Sequence, residues 1–146
     1  MDDVRMTAGA HKYRVRVYYE DTDAAGIVYY ANYLKFAERA RTEMLREMGL
    51  DQVQIKADDD VAFAVRACNA DYLRPARLDD ELVVYSEVEK VGGASIGLVQ
   101  IVRRGKETLV IMHITLVCIR HDGRAGRVPS RVRNALEIRI GTMKEV

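Results

Sequence analysis

One stretch of this chain has the period of a helix and almost everything after it has the period of a strand, and that single change limits the fold more than any other feature. Tyr33, Leu34, Ala37, Ala40, Met44, Leu45 and Met48 recur at spacings of three and four, which gathers them on one helix face. Lys35, Glu38, Arg39, Glu43 and Glu47 are left for the opposite side. Gly49 follows the last apolar position and predicts a left-handed cap there, giving one helix of about eighteen residues.

Before the helix, Tyr13 to Glu20 alternates, with Tyr13, Val15, Val17 and Tyr19 on one face, as in a half-buried strand. It runs into Asp21-Thr22-Asp23-Ala24-Ala25-Gly26, a stretch of small and polar residues with the chemistry of a loop. After the helix, Val61 to Leu73, Leu82 to Val91, Ser95 to Arg103 and Thr108 to Arg120 are rich in Val, Ile and Leu and read as four more strands. Val91-Gly92-Gly93-Ala94 and Arg104-Gly105-Lys106 are short enough to be hairpin turns, which makes the neighbours antiparallel. Leu109 to Ile119 is apolar on both faces apart from His113 and Thr115, as in a strand covered on both sides. Pro129 and Ser130 open a weakly amphipathic terminal segment to Ile138. The whole is an α+β pattern: a five-stranded antiparallel sheet curled around one long helix.

A chain of 146 residues fits one domain, 1–146, with 1–11 expected as a flexible arm. Its 23 Lys and Arg against 22 Asp and Glu leave a net charge of +1, too small a field to gather nucleic acid. Cys68 and Cys118 lie among apolar neighbours in strand-like segments, where reduced cysteine is a small core residue. No run approaches the roughly 20 apolar residues of a membrane span and no signal segment is present, so the reading is a cytoplasmic protein.

The chemistry concentrates in Tyr18 to Glu43, YYEDTDAAGIVYYANYLKFAERARTE. Loops before helices favour Asp because it caps free N–H groups, and on spacing alone that structural account of Asp21 and Asp23 is the better one. A metal is disfavoured, since no His lies near the pair and the adjacent Glu20 is its one further carboxylate. The order Asp21-x-Asp23-x-x-Gly26-Ile27-Val28-Tyr29 resembles the 4-hydroxybenzoyl-CoA thioesterase family of hotdog-fold enzymes, and within it the acyl-CoA thioesterases associated with the Tol-Pal system. Tyr72-Leu73-Arg74-Pro75 and the Ala94-Ser95 turn are similar to the family's second half, so the likeness spans Tyr13 to Val132.

That resemblance implies a hotdog fold and hydrolysis of short-chain or aromatic acyl-CoA. It implies Asp23 as nucleophile or general base, Gly26 as the residue that lets the loop approach the substrate, and the Tyr30 N–H as the donor that polarises the carbonyl. Ile27, Val28, Tyr29, Arg74 and Ser95 would contact substrate. Coenzyme A is then part of the substrate and no cofactor is needed. A homodimer or homotetramer with shared sites is implied, and an acyl carrier protein is a candidate partner.

One donor role has a cause independent of family: the first N–H groups of a helix lack intrahelical partners and point at whatever precedes it. The Tol-Pal branch carries His where this chain has Tyr30, and a phenol with a pKa near 10 is no base at neutral pH. Glu38 and Glu43 are second candidates for a base, with Arg41 and Arg39 expected as their helical ion-pair partners. His113 is expected in the core, and His11 and His121 at the surface. The competing functions are a non-catalytic protein that binds acyl-CoA or acyl carrier protein at the cell envelope, and a hotdog dehydratase. The dehydratase is disfavoured because the loop lacks the His such enzymes use.

Overall fold

The computed structural model describes Met6 and residues 9–144. The elements follow the order β1 (His11–Arg16), α1 (Asn32–Glu47), α2 (Gln52–Asp59), β2 (Ala62–Tyr72), β3 (Glu81–Val91), β4 (Ser95–Arg104), β5 (Glu107–Ile119) and α3 (Ser130–Lys144). The five strands form one sheet in the order β1-β3-β4-β5-β2, every pair antiparallel. This is the expected α+β architecture, with α1 packed on one face of the sheet.

Phe36, Ala37, Ala40, Met44 and Leu45 of α1 are buried against Leu82, Val84, Leu98, Val102 and Met112 of the sheet. Leu34, expected on that face, is 41% exposed, and Phe36 takes its place. Gly49 adopts φ 77° and the Leu50 N–H returns to the Leu45 carbonyl at 2.8 Å, so the helix stops where its glycine predicts. Gln100, wholly buried at the centre of β4, pins α1 to the sheet. Its amide donates to the Ala37 carbonyl and the Ser86 hydroxyl and accepts from Arg41 Nη1, at 2.9, 2.9 and 3.0 Å.

Several expectations are corrected. The first strand ends at Arg16; Tyr19–Asp21 is a short 3-10 turn, and Tyr19 is 82% exposed. That turn forms because the Asp21 carboxylate accepts the Tyr18 N–H at 2.8 Å, drawing the chain out of the sheet. Helix α2 has no counterpart among the expected elements; its Asp51 side chain caps the Val53 and Gln54 amides, but Ile55 is its one buried residue. The terminal helix runs on past Ile138 to Lys144. His11 opens β1 and is buried, with Nε2 2.9 Å from the Glu47 carboxylate, whereas His113 is exposed. Of the expected arm, residues 1–5, 7 and 8 lie outside the described residues. Cys118 is buried, which pushes its thiol up to about 11, while Cys68 is exposed on β2.

Candidate active site in the loop before the central helix

The Asp23 loop is a small hairpin. Thr22 bridges Val28, the Asp23 N–H donates to the Ile27 carbonyl at 2.9 Å, and the Gly26 N–H closes the turn on the Asp23 carbonyl at 3.0 Å. Gly26 sits at φ 78°, and a Cβ placed there would meet no heavy atom within 4 Å. Glycine is therefore demanded by the left-handed backbone and not by crowding inside the subunit.

Asp23 is exposed. One carboxylate oxygen accepts the Ala25 N–H at 2.8 Å, which fixes the side chain over its own turn. The other accepts no hydrogen bond from any described residue. Asp21 is a scaffold: its carboxylate holds Tyr18, and its carbonyl accepts both the Tyr29 N–H and the Asn32 side-chain amide.

Helix α1 begins at Asn32, with Ala31 as an N-cap that has no side-chain hydrogen bond. Tyr30 and Ala31 belong to the turn before it, closed by the Asn32 N–H on the Tyr29 carbonyl at 2.8 Å. Among the described residues the N–H groups of Tyr30 and Ala31 find no acceptor. Two free donors at a helix start, with the positive end of its dipole behind them, thus share one short segment with a carboxylate oxygen that is also free.

Aromatic rings wall this segment. Tyr29 and Tyr30 are 5.1 Å apart between centroids, Tyr30 meets Tyr72 edge-on at 5.9 Å, and Tyr72 lies 5.8 Å from Tyr33. Tyr29, Tyr30 and Tyr72 remain 48%, 60% and 44% exposed, whereas Tyr33 is buried with its hydroxyl accepting the Ala76 N–H at 2.9 Å. Burial raises the phenol pKa of both Tyr33 and Tyr72.

The remaining candidates are scattered. Ile27 is half-buried in the loop and bridges Arg77, while Val28 is packed into the core with its N–H on the Ala76 carbonyl. Arg74 follows β2 and donates to the Thr108 carbonyl at 3.3 Å. Ser95 begins β4 opposite Val117, at the far end of the sheet from Asp23. Of the two helix glutamates, Glu43 pairs with Arg46 instead of Arg39. Glu38 accepts from the Thr42 hydroxyl while Arg41 turns inward to Gln100. Sequence reasoning passed over Tyr72 as a wall of the site, because only the β2 pairing brings it beside Tyr30.

The Thioesterase superfamily model matches residues 25–111, more than half of the chain. The chain is similar to the acyl-CoA thioester hydrolase YbgC of Escherichia coli, 43% identical over 115 residues that cover 78% of this chain and 85% of that one. A crystal structure of a probable thioesterase from Bartonella henselae superposes with a TM-score of 0.79 at 32% identity, over 82% of this chain and 99% of that chain. A structure of a gentisyl-coenzyme A thioesterase superposes with a TM-score of 0.78 at 26% identity, over 86% and 98%. A hotdog sheet around one helix, an unbonded Asp23 oxygen in the same short segment as two unbonded amides, and these likenesses agree: the chain belongs to the thioesterase superfamily and is an enzyme of that family.

Proposed function

We propose that this enzyme hydrolyses acyl-CoA thioesters, with Asp23 as nucleophile or as general base on water. The observation that carries the reading is the unbonded oxygen of Asp23 in the same short segment as the unbonded N–H groups of Tyr30 and Ala31. Attack on a thioester carbonyl moves negative charge onto its oxygen, and amides already fixed toward that oxygen stabilise it without reorganising. One such donor is worth about 2.7–4 kcal/mol in the transition state. The phenol of Tyr30 needs no part in this, because the donor is its backbone. The carboxylate and the amides suffice for the reaction, so the activity should need no cofactor and should survive a chelator.

The reading takes residues 1–146 as one catalytic domain and the working enzyme as a homodimer. Support comes from β2, a sheet edge eleven residues long with no strand beyond it among the described residues. Val65, Tyr72 and Leu73 are 50%, 44% and 38% exposed on or just after that edge, and Tyr30 and Leu34 of the neighbouring segment are 60% and 41% exposed. An open edge flanked by apolar side chains is what an isologous strand pair covers. Sedimentation should give a dimer, and Val65→Lys should shift it toward monomer.

For the acyl group we infer an aromatic preference. The exposed faces of Tyr29, Tyr30 and Tyr72 form a surface suited to stacking a flat ring, and the gentisyl-coenzyme A thioesterase is a relative in structure. Free thiol released from a panel of acyl-CoA substrates tests both parts. The expected result is hydrolysis with benzoyl-CoA ahead of butyryl-CoA in kcat/KM. Equal rates would remove the aromatic preference, and no release from any acyl-CoA would remove the function.

A further inference from the structure

The Asp23 hairpin has little of its own to hold it in place. Asp23, Ala24, Ala25 and Gly26 are exposed, and Val28 is the one buried residue among 22–28. Among the described residues, the backbone of 22–28 bonds to distant chain only in the segment between β2 and β3. There the Val28 N–H meets the Ala76 carbonyl at 2.9 Å and Ile27 bridges Arg77. Whatever fixes Ala76 therefore fixes the hairpin.

The two peptide groups that flank Ala76 are each held at both ends. In the first, the Pro75 carbonyl accepts Arg104 Nη1 at 3.3 Å and the Ala76 N–H donates to the Tyr33 hydroxyl at 2.9 Å. In the second, the Ala76 carbonyl accepts the Val28 N–H and the Arg77 N–H donates to the Asp80 carboxylate at 2.8 Å. Arg104 and Asp80 then close on each other at 2.6 Å. Ala76 is wholly buried, so its N–H has no water to turn to if the Tyr33 hydroxyl is removed. The peptide must then shift, and the hairpin moves with it.

Tyr33 joins this platform to the other half of the site. It is buried in the first turn of α1, directly after the segment that carries the free N–H groups of Tyr30 and Ala31. Carboxylate and donors are thus connected twice: along the chain from Val28 to Tyr33, and across from the Tyr33 hydroxyl through Ala76 back to Val28. A segment closed in this way keeps far fewer conformations than an open one. Burial holds the phenol pKa above its usual 10, so Tyr33 stays protonated at neutral pH and takes no proton in the reaction.

We propose that Tyr33, acting through Ala76 together with the Arg104–Asp80 pair, is a positioning residue that holds Asp23 at its working distance from the Tyr30 and Ala31 amides. The inference rests on the hydrolase reading above and deepens it. A displacement of about 1 Å in a reacting group can cost as much as 10²-fold in rate. The surfaces that bind substrate stay in place, so the effect falls on kcat and spares KM.

Tyr33→Phe tests this, because it keeps the ring that packs on Phe36 and Tyr72 and removes only the hydroxyl. With benzoyl-CoA, kcat should fall about tenfold with KM within about twofold of the wild type. In an Asp23→Asn background the same substitution should cost nothing further, since placing a group that no longer acts cannot change the rate. A residue that merely kept the enzyme folded would lower both backgrounds alike. Equal losses in the two backgrounds would overturn the proposal, as would an unchanged kcat in the single variant. Asp80→Asn reaches the platform from its other end, keeping an oxygen for the Arg77 N–H while weakening the hold on Arg104. It should lower kcat about threefold with KM unchanged, and it carries the same two-background test if Tyr33→Phe does not fold. An unchanged kcat in Asp80→Asn would overturn the part given to the Arg104–Asp80 pair.

Amide hydrogen exchange separates this claim from its parent. The Val28 and Asp23 N–H groups should exchange about tenfold faster in Tyr33→Phe than in the wild type, beyond any change at the centre of β5. That result in an enzyme that hydrolyses no acyl-CoA would sink the hydrolase reading and leave the link from Tyr33 to the hairpin standing. Equal acceleration in the hairpin and in β5 would show a general loss of stability and overturn the link.

Discussion

Gly26 shows how one residue serves the candidate site. Its φ of 78° lies where a side chain is strained, and its N–H closes the turn that carries Asp23. Gly26→Ala should cost about 1–2 kcal/mol of stability and lower kcat about tenfold through displacement of the carboxylate, measured by denaturant unfolding and thioester hydrolysis on the same sample. An unchanged kcat would show that the turn does not set the position of Asp23. This motif was legible because its parts are contiguous: two Asp, a Gly and an aromatic run stand within ten residues. The identity of the free donors was less so. The helix starts at Asn32, after a turn that the Asn32 N–H closes on the Tyr29 carbonyl. That leaves the unpaired amides in the preceding turn instead of the first helical turn.

Among the elements, α1, β3, β4 and β5 were readable because each buries apolar residues along its length, whereas β2 was readable only from its composition, since none of its residues is buried. Helix α2 was not, since a cap at Asp51 and a single buried Ile55 leave no period to see. The pin between α1 and β4 was equally hidden, as Gln100 meets Arg41 across 59 residues. Gln100→Leu keeps the volume but strands the Arg41 guanidinium and the Ser86 hydroxyl. It should cost about 1–3 kcal/mol in urea unfolding, and a neutral result would mean that water replaces the amide.

The contact between β1 and the end of α1 is a pH-dependent element. Burial lowers the His11 pKa below 6.5, outweighing the Glu47 carboxylate that acts in the opposite sense, while Arg139 lowers it further and Glu43 raises it. The unfolded chain therefore takes up the proton first as pH falls. The stability this group carries is complete above pH 6.5 and is lost as the pH drops from there toward the lowered folded value. His11→Asn should flatten the change in urea midpoint between about pH 7.5 and 5.5. A slope unaltered by the substitution would place the titrating group elsewhere.

At the scale of the molecule, no helix among the described residues is long and apolar enough to cross a membrane. The sheet has one long open edge, and the candidate site opens beside it. The near-zero net charge argued against nucleic acid as a partner, and the length of 146 residues pointed to one domain. The grouping of Tyr30 with Tyr72 exists only once the strands are paired, so no reading along the chain could find it. The account as a whole depends on a carboxylate and free backbone amides acting on one carbonyl. The most direct measurement is benzoyl-CoA hydrolysis by the wild type and by Asp23→Asn, each assayed at the same dimer concentration and with coenzyme A affinity measured in parallel. The account predicts a fall in kcat of about 10²–10⁴ with dimerisation and affinity retained; a kcat within a few fold of the wild type would contradict it.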